Sequence, residues 1–179
     1  MNECEFIVVR HAEAVDASRF EDDSQRVLTA RGEREAHVVG RLRRFMNLPT
    51  PDLVFSSGYE RAEQTLERVL EGVTLRVIRD QVFSPEGSVE RAWKLIVQEV
   101  AGLQIGRPPA IWMFGHNPNI ERLLSLLSPE LGCILRPYRK ASLVWLRLSH
   151  LSSKRPDAQL VAYLPRPADE RDKSAELRS

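Results

Sequence analysis

Long apolar runs, cysteines and a surplus of one charge are all scarce in this sequence, and each shortage excludes something. No stretch approaches the ~20 consecutive apolar residues that a membrane-spanning helix needs. The opening MNECEF lacks the basic-then-apolar order of a secretion signal. A cytoplasmic protein with no membrane partner is the expectation. There are two cysteines, Cys4 and Cys133, too few for a disulfide framework or a cysteine-built zinc site. Basic residues number 26 and acidic residues 25, a formal net charge of +1. Proteins that bind nucleic acid by neutralising phosphates usually carry a basic surplus, so no nucleic-acid partner is expected. No internal repeat is visible.

What is present fits one ordinary globular domain. The chain has 179 residues, 42% hydrophobic and 28% charged, enough to bury a real core. Residues 1–165 read as that domain. Residues 166–179, PRPADERDKSAELRS from its second residue on, alternate in charge with little apolar content and read as a flexible tail.

Strand and helix patterns alternate along the domain. Phe6, Ile7, Val8 and Val9 form an uncharged run suited to a strand covered on both faces. Val38, Leu42 and Phe45, with Val39 and Met46, repeat at helical spacing over residues 30–46. DLVFSS, 52–57, is a second buried strand, followed by a helix carrying Ala62, Leu66, Val69 and Leu70. TLRVI, 74–78, is a third strand, and Val89, Trp93, Ile96, Val97 and Val100 mark another helix. AIWMFG, 110–115, is a continuous apolar strand, and Pro118 or Asn119 opens a helix with Ile120, Leu123, Leu124 and Leu127 inward. SLVWLRL and QLVAYL read as an antiparallel pair at one sheet edge. The fold class that follows is α/β, a three-layer α/β/α sandwich on a mostly parallel sheet.

Three of the buried strands end in chemically suggestive residues. The first gives Arg10 and His11, the second leads to Arg61 in the first turn of its helix, and the AIWMFG strand gives His116 and Asn117. Singly each has a structural explanation. Arg61 can pair with Glu60 or Glu63, and His116 can cap a helix or rest on a backbone carbonyl. In a parallel sheet, however, all three ends share one edge, where α/β proteins bind ligands and helix N-termini favour anions. Two histidines and two arginines there describe a phosphoryl site with a candidate nucleophile.

These segments, VVRHAEA, LTARGEREA, VFSSGYERAEQT and FGHNPNIERLL, resemble in order the signature segments of the histidine phosphatase superfamily. The resemblance runs from about Phe6 to Leu164. It implies a phosphoglycerate mutase-like fold, and the short central region is most similar to SixA-type phosphohistidine phosphatases. By that resemblance His11 is the nucleophile of a phosphoenzyme mechanism, Arg10 and Arg61 clamp the phosphate, and His116 donates to it. Asn117 and Arg26 are further phosphate contacts. The chain has Ala12 where the family usually has glycine after the histidine, and Gly58 where many members have proline.

Two acids are open. Glu86 lies where many members carry their acidic residue, while Asp23 matches an aspartate of the SixA type. An imidazole leaving group can be protonated on its second nitrogen before the P–N bond breaks, which lowers the demand on either. No metal or other cofactor is expected, since two arginines beside a His11-X-Glu13 pair disfavour a cation.

Two motifs are decoys. Cys133 to Arg139 spells Cys-X5-Arg, but Pro137 removes a backbone donor and Ile134 and Leu135 read as core residues. Ser56 and Ser57 lack the Gly-X-Ser-X-Gly elbow of a serine hydrolase, so these serines read as structural or minor phosphate contacts. The expected partner is a phosphorylated protein of the histidine phosphotransfer type, or a small phosphate ester. The competing readings are a small-molecule phosphomonoesterase of the same superfamily and a non-catalytic phosphate-recognising module.

Overall fold

A computed structural model describes residues 3–151 and 156–167. Its centre is a six-stranded sheet in the order β3-β2-β4-β1-β5-β6. The strands are β1 (Glu3–Arg10), β2 (Leu53–Ser56), β3 (Val77–Arg79), β4 (Ala110–Gly115), β5 (Leu143–Ser149) and β6 (Asp157–Leu164). β1 runs parallel to β4, and β2 runs parallel to both β4 and β3. β5 and β6 are antiparallel additions at one edge, as the two late apolar runs suggested.

Both faces of this sheet are covered. Phe6, Val8, Leu53, Phe55, Ile111 and Met113 point to one side. They meet α3 (Val89–Ala101), α4 (Asn119–Leu127) and α5 (Pro129–Ile134). Ile7, Val9, Val54, Trp112 and Phe114 point to the other, against α1 (Ala30–Phe45) and α2 (Glu60–Val69). Alternate residues of one strand thus serve two cores, which is why β2 and β4 are apolar at nearly every position. Each Val, Leu, Ile or Phe so buried contributes about 1.5–3 kcal/mol.

Three details differ from the sequence reading. The third strand is shorter and shifted, Val77–Arg79 rather than 74–78, and it forms the sheet edge. α1 exists over the expected span but buries a different face: Gly32, Ala36, Val39 and Gly40 are inward, while Phe45 is 85% exposed. The cause is the close approach of α1 to α2, where a Cβ at Gly40 would lie 2.7 Å from the carbonyl oxygen of Arg68. Small residues therefore make the contact, and the larger ones turn outward. Ile134, read as core, is 71% exposed at the end of α5, whereas Leu135 is buried.

No helix among the described residues is long and apolar enough to cross a membrane. Of the tail expected from 166 onward, Arg166 is held by Glu13 and Glu35 at 2.8 and 2.6 Å. Residues 168–179 lie outside the described residues.

Candidate active site

The parallel arrangement brings the ends of β1, β2 and β4 to one edge of the sheet, and with them Arg10, His11, Ser57 and His116. His11 follows β1 directly, and its backbone N–H continues the ladder to the Gly115 carbonyl at 3.0 Å. Its imidazole is 6% exposed. Nδ1 donates to the Ala12 carbonyl at 2.7 Å, so the other ring nitrogen keeps its lone pair. Ala12 lies outside the left-handed region and its N–H donates to Thr65 Oγ1 at 3.0 Å, so the alanine fits where glycine is usual. Gly58, by contrast, has φ +76°, a turn that proline cannot enter.

His116 stands beside His11, with ring centroids 4.9 Å apart. Ser57 Oγ and His116 Nε2 share a hydrogen bond of 2.7 Å, a side-chain partner rather than the backbone carbonyl or cap considered from sequence. Burial is the main reason that both imidazoles lose their protons easily. His11 is pushed down to about 3, with Arg61, Arg10 and Lys140 adding repulsion against the Ala12 hydrogen bond. His116 is pushed down to about 2 by burial, then by His11, Arg61 and Arg10. Both rings are therefore neutral near pH 7.

The two arginines are fixed by their outer nitrogens. Arg10 Nη1 donates to the Tyr138 carbonyl at 2.5 Å. Arg61, 3% exposed, pairs with neither Glu60 nor Glu63; it donates to the Asp23 carbonyl at 2.6 Å and to Asp23 Oδ2 at 2.7 Å. Its guanidinium also lies over the Tyr59 ring, 4.9 Å from the centroid. What remains is informative: Arg10 Nε, Arg61 Nε and His116 Nδ1 are buried and have no hydrogen-bond partner. Buried donors in native proteins are almost always satisfied, so orphans gathered at one site mark a place for an acceptor-rich ligand.

The remaining expected residues form the rim. Asp23 belongs to a short 3-10 turn (Asp23–Gln25), and its Oδ1 accepts from Arg26 Nη1 at 2.7 Å. Arg26 Nε is spent on the Val15 carbonyl at 2.8 Å. Glu86 is exposed and accepts from the Tyr59 hydroxyl at 3.3 Å. Asn117 Nδ2 donates to Glu121 Oε1 and to the Tyr138 carbonyl, leaving its own Oδ1 buried without a partner.

Sequence reasoning missed several contributors. Ser57 was read only as structural or a minor phosphate contact, Tyr59 was not singled out, and Tyr138 sat inside the rejected Cys-X5-Arg motif. Tyr138 is wholly buried; its hydroxyl donates to the Val8 carbonyl at 2.7 Å while its own carbonyl holds Arg10 and Asn117. A tyrosine following a proline carries no periodic signal, so only the fold reveals it. No group of three or more His, Cys, Asp or Glu side chains among the described residues could hold a metal ion. Glu13 is instead engaged with Thr29 and Arg166.

Comparison with known proteins bears on the same residues. The family model of the histidine phosphatase superfamily (branch 1) matches residues 6–84, which include Arg10, His11 and Arg61 but stop short of Glu86 and His116. Among solved structures, the protein histidine phosphatase SixA, complexed with tungstate, superposes with TM-score 0.74 at 19% identity, covering 90% of this chain and 96% of that one. A protein designated the phosphohistidine phosphatase SixA of Agrobacterium tumefaciens gives TM-score 0.71 at 25% identity, over 92% of this chain and 99% of that one. Phosphoglycerate mutase from Plasmodium falciparum gives TM-score 0.61 at 18% identity, over 94% and 98%. No curated protein sequence matches the chain. Family match and fold agree: residues 6–84 match the histidine phosphatase superfamily, and the fold is phosphoglycerate mutase-like. Phosphatases, the SixA structures included, are among the solved structures the chain resembles.

Proposed function

We propose that the protein is a cytoplasmic, metal-independent phosphatase that removes the phosphoryl group from phosphohistidine in a protein, by way of a phosphoenzyme on His11. The observation that carries this reading is the set of three buried, unpartnered nitrogens, Arg10 Nε, Arg61 Nε and His116 Nδ1, around a neutral His11. A tetrahedral dianion supplies the acceptors these groups lack. The free ring nitrogen of His11 attacks phosphorus, the P–N bond of the substrate breaks, and the departing imidazole carries a proton on its second nitrogen. Water then attacks the phosphoenzyme, releasing inorganic phosphate and restoring His11. Arg10, Arg61 and His116 stabilise the charge on the equatorial oxygens in both steps, which is most of what phosphoryl transfer asks of a protein.

Two further features support a protein substrate. Only a short connection, which includes a 3-10 turn (Gln81–Phe83), separates β3 from α3, and Glu86 in it is exposed, so no long segment inserted between these two elements covers the site. The resemblance to SixA structures points the same way. Glu86, which accepts from Tyr59 at the rim, is the acid in this reading for a more basic leaving group.

The test is phosphate release, with EDTA present, from a histidine-phosphorylated phosphotransfer protein and from p-nitrophenyl phosphate, with His11→Ala alongside. Turnover of the phosphoprotein that disappears in the variant is the expected result. Release from the small ester alone moves the function to a metabolite phosphatase, and binding of both without turnover moves it to a recognition module.

A further inference from the structure

The loop between β1 and α1 grips Arg61 in an unusual way. One residue, Asp23, accepts from both terminal nitrogens of the guanidinium, through its backbone carbonyl at 2.6 Å and its Oδ2 at 2.7 Å. The other carboxylate oxygen is taken by Arg26 Nη1 at 2.7 Å, and Arg26 is itself anchored to the Val15 carbonyl. The fourth member is Tyr59, whose ring faces the Arg61 guanidinium. Each terminal nitrogen of Arg61 keeps a second N–H, and Nε, buried and unpartnered, is wholly available to a ligand.

We infer that Asp23 is a positioning residue rather than the proton donor: it holds the Arg61 guanidinium so that Nε faces the phosphate, and Arg26 holds Asp23. The inference rests on the phosphatase reading of the site and narrows it, because it removes one of the two candidate acids and turns Arg26 from a phosphate contact into a strut. A protonated Asp23 would give up charge-assisted bonds to two arginines at once. Although partial burial works against its charge, hydrogen bonds and charges from Arg26 and Arg61 outweigh it and keep the carboxyl below its ordinary range. Asp23 also lies at the rim, with 45% of its side chain exposed, so replacing it threatens no core packing.

The experiment compares wild type, Asp23→Ala, Asp23→Asn and Arg26→Ala. It reads three quantities: the dissociation constant of inorganic phosphate, kcat and KM for p-nitrophenyl phosphate and an alkyl phosphate, and the rotation of the Arg61 guanidinium by 15N NMR. Asp23→Ala should weaken phosphate binding and raise KM about tenfold, the size expected for losing a charge-assisted hydrogen bond. Asp23→Asn keeps the backbone carbonyl and one side-chain acceptor, and should recover binding to within about threefold of wild type. The Arg61 signal should be slow in wild type and averaged in Asp23→Ala. Three results overturn the inference. One is a kcat loss in Asp23→Asn that is much greater for the alkyl than the aryl ester at unchanged KM, which marks a proton donor. Another is tighter phosphate binding in Asp23→Ala, which marks a competitor for Arg61. The third is an Arg61 signal indifferent to Asp23→Ala. That last readout needs no ligand and no turnover, so it separates failure of this inference from failure of the phosphatase reading.

Discussion

The groups at the floor of the site rise from the ends of buried strands, whereas those at its rim belong to loops and short turns. Arg10 ends β1, and His11 and His116 stand directly after β1 and β4, whose residues are almost wholly enclosed by two cores. Asp23, Arg26, Tyr59 and Glu86 stand on connections, ordered by a few polar and ring contacts with one another, with Arg61 and with the Val15 carbonyl. Floor positions are thus fixed by packing that involves much of the domain, while rim positions depend on a handful of charge-assisted contacts. On the proposed reading, chemistry that must be placed to fractions of an ångström sits on the first, while the second steadies Arg61 and meets the substrate's leaving group.

The largest expected effect sharpens this contrast through pH. Both imidazoles have an ordinary value of 6.5 but lie near 3 and 2 in the folded protein. Below pH 6.5 the unfolded chain therefore binds more protons than the folded one, and stability falls as pH drops. Each histidine contributes a loss of up to about 1.4 kcal/mol per pH unit, together roughly 4 kcal/mol by pH 5, measurable by urea unfolding across that range. Replacing both histidines should flatten the dependence.

Next in size, His116→Ala should lower kcat for p-nitrophenyl phosphate by about 10²–10³-fold, as loss of a preorganised donor does. A loss under tenfold would mean that the floor is less preorganised than its burial suggests. Tyr138→Phe removes a buried hydroxyl bond but keeps the carbonyl that holds Arg10. It should cost about 1–2 kcal/mol in denaturant unfolding while kcat stays within about twofold. The smallest effect is at the rim: Glu86→Gln should change turnover of p-nitrophenyl phosphate by less than about threefold, because that leaving group needs little protonation. A hundredfold loss there would erase the distinction between floor and rim.

The same division governs how much could be read from sequence. Strands that serve two cores must be apolar at successive positions, so β1, β2 and β4 announce themselves, and the residues that follow them are found at once. Rim contacts leave no such pattern. Nothing in DDSQRV states that Asp23 will bind Arg61 rather than solvent, and Tyr59 is one aromatic among polar neighbours. α1 shows a third limit. Its large apolar residues define a regular face at Val38, Leu42 and Phe45, but Gly32, Ala36 and Gly40 define another, and close contacts with α2 at Gly40 and with the Glu13 backbone at Gly32 select the small one. Periodicity finds a helix; which stripe is buried depends on how near its neighbour comes.

The hydrogen bond from His11 Nδ1 to the Ala12 carbonyl carries one more consequence. Phosphohistidine exists as two regioisomers, one for each ring nitrogen, that differ in hydrolytic lability and are told apart by isomer-selective antibodies or by their 31P shifts. With Nδ1 committed to a carbonyl, the phosphoenzyme proposed above would carry its phosphoryl group on Nε2 alone, a single isomer whichever isomer the donor presents.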